Sequence, residues 1–254
     1  MDDLKLAKKA VKKAGKVLRK SYGRSLTVKR KEKHDFVTDI DIKTEQKIID
    51  VLEESGHSIM GEETGMHEAG EKTWIVDPLD GTTNYILNNP AFSSAVALVD
   101  GSGTVVVSAI YLPLSDELIY AEKGKGAFIN GEKITVSDED SLDDSFLVYC
   151  HGKKPIDSER AIKLYRMFKT SCKDFRQIGS ASIEFSMVGR GTAEAFIFPG
   201  SPDYDAAPGL LVLEEAGGKI TDFNGEEWEL GSDTLVASNG KVHEEIIDEL
   251  EGEF

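Results

Sequence analysis

Two aspartates, Asp77 and Asp80, end an apolar run in the stretch WIVDPLDGTTNY, residues 74–85. Pro78 between them fixes φ and donates no hydrogen bond, and Gly81 permits a sharp turn. The chain can therefore fold back and aim both carboxylates at one spot. Held that close they repel, and the site favours a divalent cation. The N–H groups of Gly81, Thr82 and Thr83 come next, and at a helix start they suit a phosphate. Hard oxygen ligands beside anion-binding amides are what metal-assisted phosphate-ester hydrolysis requires. Taken alone, the stretch fits a capped surface turn equally well.

Three further acidic patches stand out: TDIDIKTE with Asp39 and Asp41, GEE with Glu62 and Glu63, and PDYD with Asp203 and Asp205. Each sits where an extended segment meets a turn or helix, and strand ends are where α/β folds bind ligands. Several familiar patterns fail. A DxDGT nucleophile motif needs Asp where Pro78 stands. An EF-hand loop from Asp39 has Thr44 where Gly is needed. No P-loop and no GxSxG occur.

The elements that must carry these residues are legible from periodicity. Leu4, Ala7, Val11, Ala14 and Leu18 predict an amphipathic first helix. Ile48, Ile49 and Leu52 predict a second over about 44–55. SIMGEETG reads as a short strand entering a loop, and KTWIVDP as a buried strand stopped by Pro78. From Phe92 to about Ser137 the pattern is an antiparallel meander, with a hairpin at Asn130-Gly131. The acidic linker DEDSLDD then leads to strands alternating with helices over about 158–171, 180–188 and 205–216, which suggests a partly parallel sheet. The expectation is α/β (α+β), with an N-terminal lobe over 1–137 and a C-terminal lobe over 138–254.

The 254 residues carry a net charge of −16 and are 40% hydrophobic. This charge disfavours nucleic acid and anionic membrane as partners. No apolar run approaches the roughly 20 residues of a membrane span, and the basic N-terminus lacks the continuous apolar core of a signal peptide, so a cytoplasmic location is expected. Cys150 and Cys172 read as free thiols. The five histidines show no metal spacing, and loop or surface roles are expected for them.

GEE (61–63), WIVDPLDGTTNY (74–85) and DYDAAPGLLVLEEAGG (203–218), with DFVTDIDIKTE upstream, resemble in order and spacing the inositol monophosphatase superfamily. Those are Mg²⁺-dependent, lithium-sensitive sugar phosphatases. The resemblance covers nearly the whole chain and is similar in compactness to archaeal-type members acting on fructose 1,6-bisphosphate and inositol monophosphate. It implies a layered α-β-α-β-α sandwich and a homodimer. It makes Glu62, Asp77 and the Leu79 carbonyl ligands of one metal, with Asp77, Asp80 and Asp205 holding a second. A third, weaker Mg²⁺ would lie near Glu62, and Mn²⁺ is a possible substitute. Thr82 and Asp41 would position and deprotonate the attacking water, with Glu63 behind them. Asp80, Gly81, Thr82, Arg176 and Ala181 would contact substrate. One departure is Phe198, where inositol-specific members carry a Glu. Two rivals stand beside this reading: a 3′(2′)-phosphoadenosine or NADP phosphatase on the same site, and a non-catalytic acidic protein that binds divalent cations.

Overall fold

The computed structural model describes residues 2–32 and 35–254; His34 lies outside them. The N-terminal stripe becomes α1 (Asp3–Ser21), with Leu6, Ala7, Ala10, Val11, Ala14 and Leu18 buried. A hairpin of β1 (Val28–Glu32) and β2 (Asp35–Thr38) follows. The second helix, α2, spans Asp39–Leu52 and so starts earlier than the apolar periodicity predicts. Thr38 caps it: the Thr38 side chain accepts the Ile40 N–H, and the Asp41 carboxylate accepts the Thr38 N–H. This capping box uses Asp where Glu or Gln is usual, which hides it from the pattern.

Next come β3 (Ser58–Gly61), β4 (Gly65–His67), β5 (Thr73–Asp80), the short α3 (Thr82–Ile86), β6 (Ser93–Val99), β7 (Val105–Leu112), β8 (Glu117–Glu122), β9 (Ala127–Ile129) and β10 (Glu132–Lys133). The strands from β3 on form one sheet, ordered β10-β9-β8-β7-β6-β5-β3-β4. From β5 to β10 it is the expected antiparallel meander, turned at Asn130 and Gly131, both with positive φ. It is not antiparallel throughout, because β3 pairs parallel with β5. Nor does Pro78 stop β5. The strand continues to Asp80 across a register shift between Asp77 and Asp80, an irregularity where a proline need not donate to the ladder.

The second half supplies β11 (Phe146–Tyr149), α4 (Pro155–Phe168), β12 (Asp174–Gln177), α5 (Ala181–Gly189), β13 (Ala195–Pro199), α6 (Asp203–Glu215), β14 (Lys219–Thr221), β15 (Thr234–Ser238) and α7 (His243–Leu250). Its sheet runs β12-β11-β13-β15-β14. β11 is parallel to both β12 and β13, and the other pairs are antiparallel. This is the mixed sheet the alternation predicts.

Strand alternation explains the stacking. Trp74, Val76, Val96 and Leu98 face α1 and α2 in one core. Their neighbours Ile75, Ala95 and Ala97 face the opposite way, into a core shared with α5, α6 and the Phe196, Phe198, Leu235 and Ala237 side of the second sheet. Ala195, Ile197 and Val236 point to the far side, against Leu164 and Phe168 of α4 and Ile246 and Leu250 of α7. The result is a helix–sheet–helix–sheet–helix sandwich. Among the described residues no helix is long and apolar enough to cross a membrane.

The middle layer is close-packed. A Cβ at Gly209 of α6 would overlap the Phe185 ring of α5. Gly209→Ala should therefore destabilise the fold by about 1–3 kcal/mol, although alanine is the better helix former. Urea unfolding measures this, and unchanged or higher stability would contradict it. His243 is not in a loop or on the surface as the sequence suggests. It is fully buried, with Nε2 2.9 Å from Thr221 Oγ1 and Nδ1 2.7 Å from Ser238 Oγ. Burial lowers its pKa from 6.5 to about 4. The fold thus favours the neutral ring, and this contribution is complete above pH 6.5 and is lost as pH falls toward 4. The stability gap between wild type and His243→Gln should narrow by about 2 kcal/mol between pH 7 and pH 5. A gap independent of pH would contradict it.

Candidate active site

The site forms where β5 leaves the first sheet. Asp77 and Asp80 both pair with β6, opposite Ala95 and Ser93, and the register shift falls between them at Pro78 and Leu79; Asp77 Oδ1 accepts the Leu79 N–H at 3.1 Å. Gly81 then turns the chain at φ 89°. A Cβ there would come within 2.9 Å of the Ala91 carbonyl oxygen, so both conformation and space require glycine. Helix α3 starts at Thr82, and its first-turn N–H groups have no acceptors within the helix. The Thr82 hydroxyl lies 3.1 Å from Asp41 Oδ1 and 3.0 Å from the Leu79 carbonyl oxygen. The other Asp41 oxygen is held by the Thr38 N–H at 2.8 Å and the Thr38 hydroxyl at 2.5 Å. The capping box that begins α2 therefore also aims Asp41 at Thr82.

A cleft of about 460 Å³ opens here, and Glu62, Asp77, Leu79, Asp80, Gly81, Thr82, Ala181 and Asp205 all line it. Its electrostatics are those of crowded anions. Asp77 is 1% exposed. Burial pushes its pKa well above the usual carboxylate range, and Glu62, Asp80 and Asp205 push it further in that direction. Lys153 partly offsets this, with its Nζ 3.5 Å from Glu62 Oε1. Burial also raises Asp80 and Asp41, against the hydrogen bonds each accepts. Asp80 is held by helix α5, with Oδ1 accepting from the Ala181 N–H at 3.1 Å. Its Oδ2 accepts from the Ser182 N–H at 2.7 Å and the Ser180 hydroxyl at 2.8 Å. Among the described residues, no three Asp, Glu, His or Cys side chains stand ready as a metal cage. The donor set nonetheless fits a hard divalent cation, because it is all oxygen and its central carboxylate is buried among like charges.

The remaining residues singled out in the sequence fall elsewhere. Glu63 is not in the cleft wall; its N–H donates to Glu45 Oε2 at 2.9 Å. Arg176 is not in the wall either. It lies on β12 with its side chain 71% exposed and paired with Asp174. Phe198 is wholly buried in the shared core beside Phe196 and does not reach the cleft. Asp203 ties down the Gly231 N–H at 2.7 Å, and Asp39 pairs with Lys43 at 2.5 Å. Several residues of the wall and its supports carry little signal in the sequence. Lys153, His151 and Cys150 lie just beyond β11, a parallel strand whose carboxyl end points to a site. Glu45 is wholly buried behind GEE, and a Cβ at Gly61 would meet its carboxyl carbon at 2.7 Å. Only the pairing of Gly61 with two glutamates hints at that close approach. Asn84 and Glu184 gave no signal at all.

The inositol monophosphatase family model matches residues 2–253. A fructose-1,6-bisphosphatase/inositol-1-monophosphatase of Thermotoga maritima is 35% identical, the match covering 97% of this chain and 95% of that one. Nus factor SuhB of Escherichia coli is 33% identical over 99% of this chain and 96% of its own. The solved structure of an IMPase from Thermotoga maritima has a TM-score of 0.91 at 34% identity, covering 98% and 97% of the two chains. These organisms are bacteria, and the matches do not single out an archaeal type within the group. Cleft, fold and sequence agree, and the chain belongs to the inositol monophosphatase family.

Proposed function

We propose that this protein is a Mg²⁺-dependent phosphate monoester hydrolase acting on sugar and inositol phosphates, with fructose 1,6-bisphosphate and inositol 1-phosphate as substrates. The observation that carries the proposal is the Thr82–Asp41 hydrogen bond, set beside a cleft of four carboxylates and the amides of a helix start. A cation buffer needs neither the hydroxyl–carboxylate pair nor the anion-binding turn, which speaks against the non-catalytic reading. The compact, archaeal-type dual substrate range, a homodimer and a cytoplasmic location belong to the same proposal, as does a division into lobes at residue 137.

Each residue then has a task. Glu62, Asp77, Asp80, Asp205 and the Leu79 carbonyl would hold about two or three Mg²⁺ ions, Mn²⁺ being a substitute and Li⁺ an inhibitor. The bound cations supply charge neutralisation for the phosphate oxygens and the leaving alkoxide. Gly81 and the Thr82 amide receive the phosphate, and Ala181 borders the sugar or inositol ring. Thr82 takes a proton from the attacking water as its own passes to Asp41, whose raised pKa suits an acceptor. Asp41 is buried and doubly tethered by Thr38, so it meets Thr82 without rearrangement. Glu63 acts through its backbone, tying the GEE turn to Glu45. Arg176 would need to leave Asp174 to reach a second phosphate.

Two measurements test this proposal. Thr82→Ala and Asp41→Asn should each lower kcat by about 10²–10⁴-fold at saturating Mg²⁺, with the thermal midpoint little changed. Retention of wild-type kcat in both variants would remove the pair from the mechanism. A panel of fructose 1,6-bisphosphate, inositol 1-phosphate, NADP and 3′-phosphoadenosine compounds, with and without Mg²⁺, should favour the first two. Asp80→Asn should abolish that activity. Strong preference for a nucleotide would overturn the substrate class, and a wild type inactive on the whole panel would overturn the enzyme.

A further inference from the structure

Helix α3 has only five residues, too few to hold its own orientation in water. Yet it carries Thr82, whose position relative to the cleft must be fixed. The constraint comes from Asn84, almost fully buried two residues further on. Its Nδ2 donates to the carbonyls of Ala91 at 2.7 Å, Ile178 at 2.9 Å and Gly179 at 3.2 Å. Its Oδ1 accepts from Asn89 Nδ2 at 3.1 Å. The same Ile178–Gly179 segment is gripped from the other side. Glu184, wholly buried on α5, accepts the N–H groups of Ile178 at 2.8 Å and Gly179 at 3.2 Å through Oε1.

The grip leaves little slack. Gly179 has φ +82°, and a Cβ on it would lie 3.3 Å from Asn84 Nδ2. A Cβ on Gly81 would lie 3.3 Å from the Gly179 carbonyl oxygen. Ile178 and Gly179 line the cleft beside Gly81 and lead directly to Ser180, Ala181 and Ser182, which hold Asp80. Two stretches far apart in sequence, 80–91 and 178–184, thus meet in one hydrogen-bonded clamp. One of its arms ends at the Thr82 turn and the other at a cleft carboxylate.

We propose that Asn84 and Glu184 are positioning residues that set the Gly81–Thr82 turn against the 178–182 loop at the separation a bound phosphate ester requires. The inference rests on the phosphatase proposal above. Asn84 borders the cleft, but its amide group is engaged by Ala91, Ile178, Gly179 and Asn89, and Glu184 is not in the cleft wall; both act through the backbone they hold. Asp77 on β5 and Glu62 after β3 are not bonded to the clamp, and Asp80 is held by Ser180, Ala181 and Ser182 rather than by Asn84 or Glu184, so cation binding should change far less than phosphate binding when the clamp is loosened.

The test compares Asn84→Ala, Glu184→Ala and Glu184→Gln by steady-state kinetics, with inorganic phosphate as competitor and Mg²⁺ titrated. Asn84→Ala and Glu184→Ala should raise KM and the phosphate inhibition constant by roughly tenfold or more. The half-saturating Mg²⁺ concentration should move by less than about twofold, a separation that general loosening of the fold would not produce. Glu184→Gln keeps an oxygen that accepts both N–H groups and should stay near wild type. If Glu184→Ala does not fold, Asn84→Ala decides. An active wild type with unchanged KM and phosphate inhibition in Asn84→Ala overturns the clamp alone. So does a parallel loss of Mg²⁺ affinity, or a Glu184→Gln as impaired as Glu184→Ala. An inactive wild type overturns the phosphatase proposal and the clamp with it.

Discussion

Burying Asp77 within the field of Glu62, Asp80 and Asp205 is electrostatically unfavourable, and much of the local structure answers it. An ionised carboxylate removed from water and left without a cationic partner is unfavourable by several kcal/mol, and like charges nearby add to that. A chain selected only to fold would place an apolar side chain there. Lys153 reaches Glu62 at 3.5 Å and supplies only part of the compensation. A site that tolerates such strain is a candidate for function, because a divalent cation converts the repulsion into binding energy.

The sandwich supplies the rigidity this arrangement needs. Asp77 and Asp80 sit at the end of a strand buried on both faces, flanked by β3 and β6. Glu62 follows β3, Asp41 stands in the first turn of α2, and Asp205 in the first turn of α6. Each carboxylate is thereby fixed by an element whose own packing is settled elsewhere, in the core on one or other side of the first sheet. Asp41 illustrates how local and long-range demands coincide. The oxygen that completes the helix cap leaves the other oxygen to meet Thr82.

Much of this is legible in the sequence. The meander, the mixed second sheet and the first helix follow from apolar periodicity, which is strong in long elements. The carboxylates of the cleft were visible because acidic residues at strand ends are unusual against an apolar run. What the sequence hid was local geometry. Pro78 looks like a strand terminator, but an irregular ladder accommodates it. Thr38 and Asp41 form a cap in a form that pattern reading passes over. Asn84, Glu184 and Glu45 are polar residues that bond to backbone far away in sequence, and nothing in residue type reveals such a partner. Arg176 looked like a phosphate ligand by type, yet its nearest carboxylate, Asp174, is two positions away on the same edge strand. Phe198 follows strand alternation into the core, which no reading of a single position would disclose.

The central claim is that the carboxylate cluster exists to bind a divalent cation and is a burden without one. Asp77→Asn separates the two consequences. Titration calorimetry with Mg²⁺ and thermal unfolding in its absence, both on wild type and Asp77→Asn, measure them directly. The account requires Mg²⁺ binding to the wild type, loss of most of that binding in the variant, and a metal-free variant at least as stable as the wild type, because the buried repulsion is gone. A wild type that binds no Mg²⁺, or a variant that binds it equally well, would contradict the account.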